Sequence, residues 1–305
     1  MFELDVPRAR LVAQRLLAAY ETTGIFGNQA MPEDVEPAGV ATGSEEHLRF
    51  ITLTVAIDYM RNADQLWNAA RQTFADPQTH YLFDPTAVAQ TGLPKIVEDM
   101  RLYRLSKKID KDAEIWRQVS LTLAQHFGGR VDALITQANY DALTLLDTIR
   151  SRRFASGFPY LKGPKVAPLW IRMLHDNCGV ALRRIEEVPL PVDIHTAQAT
   201  LQTGCVRRVE GRGTMKELRE AVQQVWRGAL TTADSGTYPL RMDEPLWMLS
   251  RQGCRVTRTW PCEFLAECPV GLQCQAKQLW LAAATGGPIQ DETEWTITPR
   301  APEAS

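Results

Sequence analysis

Four cysteines, Cys254, Cys262, Cys268 and Cys274, fall in one turn-rich segment with the spacing Cys-x7-Cys-x5-Cys-x5-Cys. Thiolates in that number hold either a tetrahedral zinc or a 4Fe–4S cluster. Arg251, Arg255 and Arg258 surround the segment without a nearby acid, a composition suited to contact with a phosphate backbone. Cys178 and Cys205 stand alone and read as buried thiols.

A second group lies between Phe158 and Thr200. Gly163-Pro164 makes a corner, Lys165 follows it, and Leu169, Ile171, Met173 and Leu174 supply the apolar face of a helix. Pro168 is compatible with that helix if it begins at Lys165, because the first four N–H groups have no intrahelical partner to lose. Lys165 would then stand beside a helix N-terminus, where exposed N–H groups and the dipole favour an anion. Further on, Asp193 sits in Pro191-Val192-Asp193-Ile194-His195. Each of the two has an ordinary reading: a lysine at a helix start is a solvated charge, and an aspartate before Ile-His is an N-cap. Lys162 competes with Lys165 for any role at the corner.

The Leu161, Gly163 and Lys165 corner followed by Leu190-Pro191-Val192-Asp193-Ile194-His195 resembles the helix-hairpin-helix DNA glycosylase superfamily. That superfamily carries a Leu-Pro-Gly-Val-Gly-x-Lys hairpin and a downstream Val-Asp-x-His segment. The PVDIH segment is similar to that of the 8-oxoguanine glycosylases, and the wide gap from Lys to Asp to that of their archaeal branch. Here the usual Gly-x-Gly is reduced to Gly163-Pro164, which alters the hairpin's backbone grip on phosphate. The run Cys268-Pro269-Val270-Gly271-Leu272-Gln273-Cys274 resembles the end of the cluster loop of endonuclease III and adenine glycosylases. That loop reads C-x6-C-x2-C-x5-C, so the last gap matches and the middle one is longer in this chain.

The resemblance implies a DNA N-glycosylase, with β-lyase activity, that acts on a modified or damaged base. Loss of a base leaves positive charge on the sugar, and a carboxylate beneath it stabilises that charge; Asp193 holds the matching position. A desolvated lysine attacks C1′ and forms a Schiff base; Lys165 holds that position. The target base must leave the duplex for a pocket, for which Trp170, Phe158, Tyr160 and His195 are candidates. Gly163, Arg207, Arg208 and Arg255 are candidate DNA contacts. The cysteines Cys254, Cys262, Cys268 and Cys274 are the expected ligands of a structural 4Fe–4S cluster, with zinc as runner-up. Two other functions stay open: a glycosidase for a modified nucleoside or nucleotide, and a non-catalytic DNA-binding protein.

The rest of the chain must position these groups. It has 305 residues, 45% hydrophobic and 23% charged, with a formal net charge of −2. Global charge therefore gives no argument for a nucleic-acid partner, and any such surface must be local. No stretch is long and apolar enough to cross a membrane, Met1–Arg10 lacks a secretory pattern, and the cysteines do not form a secreted disulfide framework. The expectation is a monomeric cytoplasmic protein. Helical periodicity dominates: the expected class is all-α, two helical lobes with a helix-hairpin-helix element and a C-terminal cysteine-ligated cluster loop. One lobe spans 45–190; the other joins 1–44 to 191–305. Ser44, Asp84-Pro85 and Thr214 read as helix starts and Gly128-Gly129 as a helix end. Asp243–Ser250 reads as a short helix with Trp247 in the core, Lys277–Ala284 as a last helix, and Gly286–Ser305 as a strap. In Leu93–Lys111, Arg101, Arg104, Lys107, Lys108 and Lys111 outnumber the acids, which makes either a phosphate-contacting surface or a solvated helix face.

Overall fold

A computed structural model describes residues 2–59, 61–208, 213–230, 236–256, 259–260, 262–275, 279–283, 294–299 and 301–302. The protein is predominantly helical, with twelve α-helices among the described residues. None of them is long and apolar enough to cross a membrane. The chain divides into two compact units, Met31–Val188 and Met1–Ala30 joined to Pro189–Ser305.

In the Met31–Val188 unit, helix starts are set by short polar side chains that satisfy otherwise orphaned backbone N–H groups. Ser44 caps Glu45–Val55 through the N–H of His47, and Asn62 caps Ala63–Ala75 through that of Gln65. Asp84 caps Pro85–Gln90, and Asp141 caps Ala142–Arg150. The long helix Ile109–Phe127 ends at Gly128, whose φ of 60° is the left-handed conformation that glycine adopts without a Cβ clash. Glu45–Val55 is followed by a turn, and Asn62 starts the next helix.

The core of this unit is aromatic. Phe50 packs against Trp67 and Phe83, with ring centroids 5.8 and 5.4 Å apart, and Phe83 against Trp116 at 5.2 Å. The helix Val166–Asp176 crosses Glu45–Val55, and its Trp170 donates to Thr52 Oγ1 at 2.9 Å inside that contact. Arg172 on the same helix is buried and ion-paired with buried Glu33, which fastens the helix to the Pro32–Asp34 turn.

In the other unit, Val6–Thr22 packs on Met215–Leu230, and Ile194–Gln202 on Asp243–Leu249. Thr214 and Glu217 form a reciprocal cap, each side chain taking the other's backbone N–H (Glu217 N to Thr214 Oγ1 3.3 Å, Thr214 N to Glu217 Oε2 2.8 Å). Buried Trp226 donates to Thr200 Oγ1 at 3.0 Å. The expected helix over Lys277–Ala284 is not what forms: its described part, Leu279–Ala283, is a strand. It pairs antiparallel with Glu294–Pro299, inside the expected strap, which in turn pairs with Gly213–Thr214. An apolar run of five such as LWLAA has no periodicity that separates a short helix from a strand, and the pairing partner decides. Phe2–Leu4 pairs antiparallel with Val206–Arg208, and Thr259–Trp260 parallel with Ala301–Pro302.

Candidate functional site

Lys165 occupies the N-cap position of Val166–Asp176, so Pro168 falls in the first turn and costs no helix hydrogen bond. Before it, the chain from Phe158 to Pro164 folds back on itself: Gly163 N–H donates to the Tyr160 carbonyl at 2.8 Å. A Cβ at Gly163 would sit 2.9 Å from that carbonyl oxygen, too close for any other residue without a shift. Lys162, the competing lysine, is turned back onto the Ala155 carbonyl, while Arg150 Nε holds the Lys162 carbonyl at 3.1 Å.

The Lys165 ammonium lies 3.6 Å from the carboxylate of Asp58. Asp58 is buried in the turn after Glu45–Val55. Next to it, Tyr59 stacks on Tyr160 with centroids 4.4 Å apart and planes at 18°. Tyr160 has a φ of 60°, an unfavourable conformation for a side-chain-bearing residue that the stacked ring helps to hold. Tyr59 donates to Asp112 Oδ1 at 2.9 Å, and burial followed by this bond raises its phenol above the ordinary value. Lys108 and Lys111 lie over the Tyr59 and Tyr160 rings, at 5.4 and 4.8 Å.

Two of the expected pocket residues are not at a surface. Trp170 and Phe158 are fully buried, Trp170 in the helix crossing and Phe158 against Phe127 and Phe154. The helix bearing Trp170 is apolar nearly all round, so its periodicity could not tell an inward ring from a pocket ring.

In the other unit, Asp193 is the N-cap of Ile194–Gln202; its Oδ1 accepts from His195 N at 2.8 Å and Thr196 N at 2.9 Å. His195 Nδ1 meets Ser250 Oγ at 3.2 Å, and its ring lies 5.5 Å from that of Trp247. Trp247, read from sequence as core, is half-exposed, whereas Trp67, Trp116, Trp170 and Trp226 are buried. The Arg251 guanidinium lies 5.7 Å from its ring centre.

Ser250 opens a π-helical turn, Ser250–Cys254, that continues Asp243–Leu249 and delivers Cys254 to the cysteine loop. Single turns of this kind concentrate at functional sites. Cys254, Cys262, Cys268 and Cys274 all line one cavity, walled on the apolar side by Phe26 and Phe264. Phe26, from the loop after the first helix, has a φ of 53° and packs on Phe264 at 5.4 Å. It fits because Gly253 has no Cβ, which would meet the Phe26 ring at 2.7 Å. Gln202 Nε2 donates to Cys274 Sγ at 3.2 Å, and Arg8 Nη2 fixes the loop backbone through the Gln273 carbonyl at 2.6 Å. All four thiols are free of disulfides. Burial, and then repulsion from Cys274 and Cys262, pushes the Cys268 thiol up to about 12.

The remaining sequence-derived contacts are spoken for or lie elsewhere. Arg255 Nη1 donates to the Leu281 carbonyl at 3.0 Å and to Gln198 Oε1 at 3.4 Å, an internal tie between helix and strand rather than an outward cation. Arg207 is within 3.5 Å of both Glu3 and Asp5 across its strand pair, which offsets its charge. The side chain of Arg208, and Arg212, Arg258 and Lys277, lie outside the described residues. Cys178 and Cys205 are buried and each is pushed up to about 12, chiefly by desolvation. Asp58, Trp247, Phe26 and Gln202 were not singled out for these positions from sequence; each meets its partner only through long-range folding.

A scan of protein-family models finds no match to this chain, and a search of curated proteins finds none.

Proposed function

We propose that this chain is a DNA N-glycosylase of the helix-hairpin-helix type, with β-lyase activity, acting on a modified or damaged base turned out of the duplex. The observation that carries the reading is that Lys165 and Asp193 each stand at the first turn of a helix, on the two motifs of the resemblance. At such positions the backbone N–H groups are directed outward and favour phosphate or an ionised carboxylate.

In the proposed reaction the neutral Lys165 amine attacks C1′, and the base departs with the electrons of the N-glycosidic bond. Asp193 stabilises the positive charge on the sugar as that bond lengthens. The amine passes its proton to O4′ as the C1′–O4′ bond of the resulting aminal breaks; the open-chain iminium then loses a proton from C2′, and the 3′ phosphate leaves by β-elimination. Asp58 is the carboxylate within reach of the attacking amine's proton. Half-exposed Trp247, beside His195, offers a face on which an extruded base stacks. Oxidised purines such as 8-oxoguanine are the favoured substrates, and bulkier modified bases are the alternative class.

Cys254, Cys262, Cys268 and Cys274 would hold a 4Fe–4S cluster. The donor set fits: four cysteines outside any disulfide line one cavity, with an amide N–H already aimed at one sulfur. When bound, the cluster ties the loop together and takes no part in the sugar chemistry. A tetrahedral zinc would need its thiolates at about 2.3 Å from one point. Anaerobically purified protein is expected to carry about four irons per chain and the charge-transfer absorbance of a cubane. Cys268→Ser and Cys274→Ser each lose most of that absorbance. A colourless protein with one zinc per chain would overturn the assignment.

The direct test is borohydride trapping on duplexes carrying different modified bases, scored alongside abasic-site formation. A covalent protein–DNA adduct on one of them is the expected result. Base release without adduct reduces the protein to a monofunctional glycosylase. A second reading, a DNA-binding protein without catalysis, draws on the Lys165–Asp58 ion pair, which favours the unreactive ammonium. It predicts neither adduct nor abasic site on any substrate.

A further inference from the structure

A groove in the Met31–Val188 unit, apart from the lysine hairpin, runs between the helix Ala63–Ala75 and the segment after Leu93–Leu102. It holds about 510 Å³. On one wall, Asn62, Gln65, Asn68 and Gln72 recur every three to four residues along one face of the helix. The other wall carries Tyr103, Arg104 and Lys107, and Arg61 lies at the end where the walls join. Three cations and no carboxylate line it.

The wall is a built one. Arg61 Nη1 donates to the Leu105 carbonyl at 2.8 Å. Asp112 accepts from Ser106 Oγ at 2.6 Å and from the backbone N–H groups of Lys107 and Lys108 at 3.1 and 3.0 Å. Tyr103 gives its hydroxyl proton to Asp76 at 2.9 Å. The segment is thus fixed from within, and Arg104 takes a left-handed φ of 56° with its side chain exposed. Arg61 Nε is buried and has no hydrogen-bond partner.

Neutral amides beside cations suit a ligand with regularly spaced anions and many acceptors. Amides and cations make up most of the lining, beside Tyr103 and Ala69, so the groove favours a backbone over bases. Its length agrees: Asn62 to Gln72 spans about 15 Å at about 1.5 Å per helical residue. That is long enough to lie along more than one successive phosphate of a strand. We propose that this groove binds the phosphodiester backbone of a DNA strand flanking the reacting nucleotide, a sequence-independent contact that rests on the glycosylase reading for its ligand.

The test is fluorescence anisotropy with a labelled, unmodified 20-bp duplex, titrated across a salt series. Wild type is compared with Arg104→Glu/Lys107→Glu, with Gln65→Ala/Gln72→Ala, and with Lys216→Glu, which changes an exposed cation on a helix of the other unit. Removal of two phosphate contacts is expected to flatten the slope of log K against log salt by roughly 2, and to weaken binding at least tenfold at low salt. The amide pair weakens binding severalfold with an unchanged slope, and Lys216→Glu leaves the slope near wild type. Trapping by wild type at saturating protein on a cleavable substrate reads the glycosylase chemistry separately from the groove. A wild-type slope in Arg104→Glu/Lys107→Glu overturns the groove while trapping leaves the glycosylase reading intact. No duplex binding by wild type, at any salt, overturns both.

Discussion

Lys165→Ala abolishes the borohydride-trapped adduct while leaving the protein folded. The expectation follows from where the lysine sits. Its side chain is partly exposed and pairs with the buried carboxylate of Asp58, so the substitution leaves that carboxylate less well paired and costs some stability. The helix behind it is held by Trp170, Arg172 and an apolar face that the substitution does not touch. Loss of the adduct in a variant that still melts cooperatively therefore reports the amine and not the fold. Lys162→Ala provides the comparison: that side chain points at the Ala155 carbonyl, and its loss should leave trapping intact. An adduct that persists in Lys165→Ala and vanishes in Lys162→Ala would move the nucleophile to the neighbouring turn.

Asp58 sharpens the same experiment. A carboxylate 3.6 Å from an ammonium stabilises the charged, unreactive form, yet it is also within reach to take the proton as the amine attacks. Asp58→Asn separates these effects. If proton transfer dominates, trapping at neutral pH slows by about 100-fold and recovers as pH rises and the amine deprotonates without help. Faster trapping in Asp58→Asn would make the aspartate a restraint on Lys165 only.

The helices were legible from short-range chemistry. Ser44, Asp84-Pro85, Asp141 and the Thr214–Glu217 pair each satisfy orphan N–H groups within three residues, and Gly128 supplies its own left-handed stop. These interactions are local, so the sequence displays them. The surroundings of the candidate residues were less legible, because they are assembled over distance. Asp58 and Lys165 are brought together by the crossing of two helices, and Phe26 reaches the cysteine cavity from the first loop. Periodicity also cannot rank the rings of a mostly buried helix: Trp170 read both as core and as a pocket candidate and is core, whereas Trp247 read as core and is half-exposed. Charge runs misled in the same way: Arg207 and Arg255 stand among basic residues in sequence, but their carboxylate and carbonyl partners come from remote strands. The basic stretch after Leu93 was ambiguous for the converse reason. Its groove exists only opposite the amide face of another helix.

Asp193→Asn is the cleanest probe of the sugar-stabilising role, because capping and catalysis part company in that substitution. The N-cap function needs only a side-chain oxygen that accepts from the His195 and Thr196 N–H groups, and asparagine caps about as well as aspartate. The helix start should survive with a stability change under about 1 kcal/mol. What asparagine cannot supply is the negative charge opposite a developing oxocarbenium. Removal of one preorganised electrostatic group of this kind costs about 10²–10³ in rate, or about 2.7–4 kcal/mol. Single-turnover base release should fall by that factor. Asp193→Ala adds the loss of the cap, about 1 kcal/mol of stability, with little further loss of rate per folded molecule. The pair of variants thus yields a signature that a pure cap cannot produce: a large rate loss in the variant that keeps the helix, and a stability loss confined to the one that does not. Base release by Asp193→Asn within about twofold of wild type, with the melting temperature lowered only in Asp193→Ala, would make Asp193 a helix cap and nothing more.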